Sequence, residues 1–427
     1  MEISIKNGVV RWFLMILEVV AFLVSVGWVA KTFTGSELGR NPEVKSLELA
    51  VKLDPWNAEY RYRLGRLYEY SPQDVQPEKA LENLQRAVEL NPFDPQNWVE
   101  LGLAWTFQGK TLEAERCLRQ AALLAPNIPA YQWPIANDYL MQGNVQEAFR
   151  HFKIVLAGTS EYDQIVFRTA WKSSDDPDKI LDQLIPHRVS TEFGYLYYLL
   201  SEQRFAESQA VWTRILSESE KFKPQQAAPY FESLIRAHKP DQAYQAWVDL
   251  QRRGLVPGPA AESSGNAVIN GDFEEEISNM GFDWRISRVP GVYAGRDTTN
   301  YRSPSHALLV QFSGKENLDY AFVYQFVKVS PKSSYRLQAF MKTEGITTDS
   351  GPRLEVRDAY DYSALYKLTD NLVGTTEGWV PILLDFTAGP KTNLLAVTLR
   401  RPPSQRIDNR IAGKVWLDDL RITRLSK

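Results

Sequence analysis

Few side chains in this 427-residue chain stand at spacings that support covalent chemistry. The four histidines, His151, His187, His238 and His306, are too scattered for a short metal-ligand motif, and none accompanies a nucleophile signature. The GxSxG, HExxH and phosphate-loop patterns are absent. Cys117 is alone, so the chain forms no intrachain disulfide and no cysteine-rich metal site, and it reads as a buried thiol on a repeat helix. The acidic runs Asp175-Asp176 and Glu274-Glu275-Glu276 read as a solvated turn and a strand start. The expectation is a chain that is not an enzyme. What remains is recognition chemistry: aromatic rings and arginines spaced by two in the C-terminal third, and one carboxyl, Glu18, inside an apolar run.

That run, Trp12 to Ala30, is apolar apart from Glu18 and Ser25. As a helix it spans about 28 Å, close to a bilayer core. Arg11 and Lys6 precede it and Lys31 and Arg40 follow, which favours an N-terminus inside and a chain whose bulk is extracytoplasmic. Residues 1–35 therefore read as a single-pass anchor in a bacterial inner membrane, with the rest periplasmic. The competing reading is a cleaved signal peptide, because Ser25-Val26-Gly27 places small residues at the cleavage positions. A carboxyl near the bilayer centre costs about 2–3 kcal/mol, so Glu18 is either tolerated in its protonated form or makes a polar contact with a partner's membrane helix. The net charge of −3 argues against bulk nucleic-acid binding.

The elements beyond the anchor announce themselves by period. Ala80, Ala114 and Ala148 are spaced by 34 residues. Trp98-x2-Leu101-Gly102-x2-Trp105 is echoed by Leu64-Gly65-x2-Tyr68, and Leu53-Asp54-Pro55 recurs as Leu90-Asn91-Pro92 and Leu124-Ala125-Pro126. Such a period marks helical hairpins that bury their apolar faces only against neighbours. Over residues 41–158 the chain resembles the tetratricopeptide-repeat family, which implies a scaffold that holds a protein partner in its groove. Residues 41–54 read as the second helix of an incomplete first repeat. Beyond Gly158 the period degrades, and 159–253 reads as diverged hairpins that continue the solenoid. Residues 254–265, rich in Gly, Pro and Ser, read as a linker.

After the linker the period becomes two, with Val323, Gln325 and Val327 alternating against Tyr324 and Phe326. Several such strands predict an all-β sandwich over 266–427, expected to fold by itself. Asn270-Gly-Asp-Phe-Glu274, Trp284, Gln325-Phe-Val-Lys-Val-Ser-Pro331, Trp379 and Val415-Trp-Leu-Asp-Asp-Leu420 follow one another in an order that resembles the jelly-roll carbohydrate-binding modules of families 4, 9 and 22. The resemblance implies a structural calcium at Glu274 and Asp419 (or Asp418); the other reading is that these carboxylates cap strand ends. It also implies a sugar cleft of rings and planar polar groups. With Val323, Val327, Leu337 and Val356 facing inward, the outward set is Tyr324, Phe326, Arg336, Gln338, Phe340, Arg353, Glu355, Arg357 and Arg400. The alternative is a solvated outer face. An anchor, repeats and such a sandwich together look like an accessory factor of polysaccharide assembly or export. The remaining alternatives are a scaffold with a purely structural sandwich and a glycan-processing enzyme.

Overall fold

The computed structural model describes residues 8–257, 265–302 and 304–425. Lys6 and most of the expected linker, residues 258–264, lie outside them. The chain divides into two compact units, Met1–Tyr195 and Leu196–Lys427. The last helices therefore share a unit with the sandwich.

The first unit begins with α1 (Gly8–Arg40), long and apolar enough to cross a membrane by length and composition. It does not stop at the end of the apolar run. It continues unbroken to Arg40, and α2 (Val44–Leu53) turns back against it. Gly35 and Gly39, one turn apart, are its buried residues, because a side chain at Gly39 would run into the Tyr60 ring. The segment between the expected anchor and the expected first repeat is thus helix.

Three hairpins follow: α3 (Ala58–Tyr70) with α4 (Pro77–Leu90), α5 (Pro95–Phe107) with α6 (Thr111–Leu124), and α7 (Pro129–Met141) with α8 (Val145–Gly158). Asn57, Asp94 and Asn144 cap their helices by accepting hydrogen bonds from Tyr60, Gln96 and Glu147. The repeat spacing has a direct cause. A Cβ on Gly65 would lie 2.7 Å from Leu84, and one on Gly102 would lie 2.7 Å from Leu118. The paired helices approach that closely because the fully buried Ala80 and Ala114 stand opposite these glycines, and Ala148, also fully buried, holds the same place in the third hairpin by its 34-residue spacing. Gly109 and Gly143, at φ +72 and +78, make the left-handed turns between paired helices.

His151 is buried beneath Tyr139, with its Nδ1 2.5 Å from Gln132 Oε1. Burial, helped by Arg150, pushes its pKa down to about 4. The unfolded chain takes up this proton near the ordinary value of about 6.5. The folded state therefore holds its full stability above that pH and loses it as pH falls towards 4. We expect the helical unfolding midpoint to drop between pH 6.5 and 4.5, and to drop less in His151→Phe. Parallel pH profiles for the two proteins would contradict this.

Helix α9 (Asp163–Ser173), the short α10 (Pro177–Lys179) running into a π-turn at Ile180–Leu184, and α11 (Val189–Ser201) lead into the second unit. There α12 (Phe205–Ser217), α13 (Ala228–Arg236) and α14 (Pro240–Arg252) keep the hairpin geometry. Gln203 and His238, at φ +58 and +59, occupy the turn position that glycine holds in the earlier repeats. The helical turn thus outlasts the sequence signature that announced it.

The sandwich has strands β1 (Arg285–Ile286), β2 (Val292–Asp297), β3 (Ala307–Ser313), β4 (Tyr320–Lys328), β5 (Ser334–Glu344), β6 (Arg353–Asp358), β7 (Tyr366–Leu368), β8 (Val380–Thr387), β9 (Leu394–Arg401) and β10 (Ala412–Arg424). They form two antiparallel sheets, β1-β4-β9-β6-β7 and β2-β3-β10-β5-β8. Val323, Val327, Leu337, Val356, Val397 and Leu417 fill the space between them. Gln325 also points inward, where its amide exchanges hydrogen bonds with the Ile269 backbone.

Candidate functional site: the outer face of the β1-β4-β9-β6-β7 sheet

Strand alternation places Tyr324 and Phe326 outward, as expected, and the pairing of β4, β9 and β6 puts Arg400, Arg353, Glu355 and Arg357 on the same face. Arg336, Gln338 and Phe340 do not join them. They lie on β5, which pairs with β10 and β8 in the opposite sheet. There Arg336 makes a two-pronged pair with Asp385, both contacts at 2.7 Å, and Arg302 lies 3.6 Å above the Phe340 ring. The expected single cleft is therefore two separate surfaces. Alternation decides up or down within a strand; it is silent on which sheet the strand joins.

The near end of the face is covered. Arg285 of β1 lies over both Tyr324 and Phe326, and its guanidinium pairs with Glu232 of α13 at 2.6 Å. Lys328 reaches Asp241 of α14 at 2.8 Å. Tyr360 donates to the Ile235 carbonyl at 2.9 Å, and its ring stacks 4.0 Å from His238. Phe282 inserts beside Tyr244 and Trp247. A Cβ on Gly281 would lie 2.5 Å from the Trp247 ring, so that loop approaches the helix as only glycine permits. The outward-facing Leu394, Ala396 and Thr398 of β9 are consequently as buried as the inward ones. Tyr324 and Phe326 sit under this cover rather than in an open cleft.

The far end is open. Glu355, buried, lies 3.3 Å from Arg357 and 3.5 Å from Arg400; Arg400 also pairs with Asp319. Burial and the neighbouring Glu355 raise the Tyr366 pKa. Tyr362 and Tyr366, 59% and 43% exposed, have ring centres 5.9 Å apart, and Arg357 packs 4.6 Å from the Tyr362 ring. These two tyrosines escaped the sequence reading. Tyr366 sits on a three-residue edge strand, too short for alternation to register, and Tyr362 lies in the loop before it.

Glu274 and Asp419 do not fit a calcium shell. Glu274 accepts hydrogen bonds from the Ser305 amide and hydroxyl at 2.9 and 2.6 Å and from the His306 amide at 2.9 Å, and lies 3.0 Å from His306 Nδ1. Burial would raise its carboxyl, but these bonds overcome that and bring it down to about 2. Asp419 is held by Arg302 and lies 3.4 Å from Arg421. It occupies a bulge in β10, at φ +50. Glu274 spends its lone pairs on Ser305 and His306, Asp419 faces the Arg302 guanidinium, and a cation there would meet a like charge. The Ser305–His306–Glu274 grouping is no relay either. Serine and carboxylate address the same ring nitrogen, whereas a nucleophile and its orienting acid need opposite ones.

In the first unit, α1 and α3 enclose a groove of about 530 Å³ lined by Arg40, Tyr62, Arg63, Arg66, Tyr70 and Gln96. Arg66 lies over both tyrosine rings, 5.8 and 5.6 Å from their centres, and 3.3 Å from Glu100. Glu18 sits on an exposed stretch of α1.

No family model and no curated protein matches the chain. Solved structures similar to it include MamA, at 16% identity over 40% of this chain and 84% of that one, with a TM-score of 0.26. Pseudomonas aeruginosa pilF is similar at 16% identity over 48% and 96%, TM-score 0.26. The CBM22-1 xylan-binding domain of Paenibacillus barcinonensis Xyn10C is similar at 12% identity over 37% and 93%, TM-score 0.24. Likenesses at these scores carry no functional weight, so the reading of function rests on the residues.

Proposed function

We propose that the chain is a non-catalytic, membrane-anchored adaptor of the bacterial cell envelope, with its bulk in the periplasm, that docks a protein in the helical groove and holds a glycan on the open end of the sandwich face in polysaccharide assembly or export. The observation that carries this reading is the unbroken helix α1, whose apolar stretch runs without a linker into the groove wall at Gly39 and Arg40. From Ala30 to Arg40 a helix rises about 15 Å. A headgroup layer is only about 5–8 Å deep. The groove thus stands clear of the lipid and faces proteins. Glu18, exposed within the span, is suited to a polar contact with the partner's own membrane helix.

On the sandwich, Tyr362 and Tyr366 supply flat rings, and Glu355, Arg357 and Arg400 supply planar hydrogen-bonding groups beside them. Stacking and each hydrogen bond contribute about 1 kcal/mol net, so affinity is weak, roughly micromolar to millimolar. A glycan screen of the full chain in detergent should find ligands whose binding is lost in Tyr366→Ala. A reporter fused after Lys427 should be active only outside the cytoplasm, and the mature N-terminus should retain residues 12–30. Cytoplasmic reporter activity or cleavage near Gly27 would sink the anchor reading. A second reading of the sandwich is favoured by the covered half of its face, where Leu394 and Ala396 are fully buried: a purely structural module. A screen without ligands at millimolar concentration would decide for it.

A further inference from the structure

We propose that the glycan on the Tyr362–Tyr366 ledge is acidic, with a uronic-acid carboxylate seated at Arg353; this rests on the glycan reading above. Three guanidinium groups share this small surface. Arg353 and Arg400 are register partners across β6 and β9, and Arg357 lies on the same face of β6. Two of the carboxylates beside it are already committed. Glu355 lies between Arg357 and Arg400, and Asp319 pairs with Arg400. Arg353 makes no ion pair among the described residues. Among the described residues its one hydrogen bond is to Ser350 Oγ at 3.5 Å, the outer limit for such a bond, and its Nε is buried without a partner.

Burial, and then the neighbouring Arg400, pushes the Arg353 pKa down; Asp370 acts only at a distance. A half-buried, unpaired arginine is costly to the fold and is a ready receptor for an anion. A guanidinium presents N–H groups in a planar fork that matches a carboxylate in two prongs. The adjoining exposed tyrosines supply rings for the apolar face of a pyranose. A sugar acid has both features in one residue. An acidic peptide has only the charge.

The test titrates the full-length protein in detergent micelles with an oligogalacturonate and with the same oligomer after its carboxyl groups are reduced to alcohols. The acid form should bind at least about tenfold more tightly, one good charged contact's worth. Arg353→Gln should remove that advantage, leave the reduced oligomer's affinity unchanged, and leave the thermal midpoint equal or higher. Equal binding of the two oligomers overturns the acidic inference while the glycan reading stands. Binding of neither overturns both. A poly-glutamate peptide that binds as tightly as the oligogalacturonate makes this a general anion site and overturns the sugar acid. A marked fall in the midpoint of Arg353→Gln, with Arg353→Lys restoring the midpoint but not the acid preference, would show the residue to be structural and overturn the assignment.

Discussion

Arg401→Leu is expected to destabilise the sandwich by about 3 kcal/mol or more. The side chain is fully buried. Its Nε donates to the Ser350 carbonyl at 3.0 Å, Nη1 to Asn317 Oδ1 at 2.8 Å and the Leu318 carbonyl at 2.6 Å, and Nη2 to the Asn409 carbonyl at 3.0 Å and Thr348 Oγ1 at 3.3 Å. One guanidinium thus ties together the loops after β3, β5 and β9. Each buried acceptor left without a donor costs about 1–3 kcal/mol. Relief of the arginine's own burial, which pushes its pKa down, offsets part of that sum. Arg401→Lys should fall between, because one ammonium with three donors cannot reach five acceptors. Denaturant midpoints of the full chain, followed through a β-sheet signal, measure it. A midpoint unmoved in Arg401→Leu would mean the loops hold themselves.

Cutting the chain at the expected linker should have the second large effect. By composition alone, 254–265 separates two independent bodies. The cut removes specific contacts between the sandwich and helices α13 and α14. Phe282, 1% exposed, loses Tyr244 and Trp247; Arg285 loses Glu232; Lys328 loses Asp241; Tyr360 loses His238 and the Ile235 carbonyl. Losing one large buried apolar side chain's partners alone is worth about 1.5–3 kcal/mol. For a fragment this size, 1 kcal/mol shifts the midpoint by about 2–4 °C. Residues 266–427 should therefore melt roughly 10 °C below residues 196–427, and should expose Leu394 and Ala396 to an apolar dye. Equal midpoints would restore the boundary at the linker.

The repeats could be read because close helix packing admits few residue types. A helix pair that meets at Gly65 or Gly102 demands glycine there, and alanines such as Ala80 and Ala114 opposite. Such demands recur at the structural period. The later hairpins keep the backbone but meet the left-handed turn with Gln203 and His238. Their period therefore faded while their geometry did not. At His238 a contact explains the choice: an imidazole stacks on Tyr360, which glycine cannot do.

In the sandwich, two-residue alternation decided which side of its own strand each residue takes. Tyr324 and Phe326 point outward and Val323, Gln325 and Val327 inward, as the residues alone predict. The tertiary structure decided the rest. Alternation is local, whereas sheet membership comes from pairings far apart in the chain, such as β5 with β10. Arg336, Gln338 and Phe340 were thereby moved to the opposite surface from Arg357 and Arg400. No strand pattern records what packs on its outer side. Helices α13 and α14 cover Tyr324 and leave the tyrosines at 362 and 366 exposed, because burial is a property of neighbours that only the folded chain brings together.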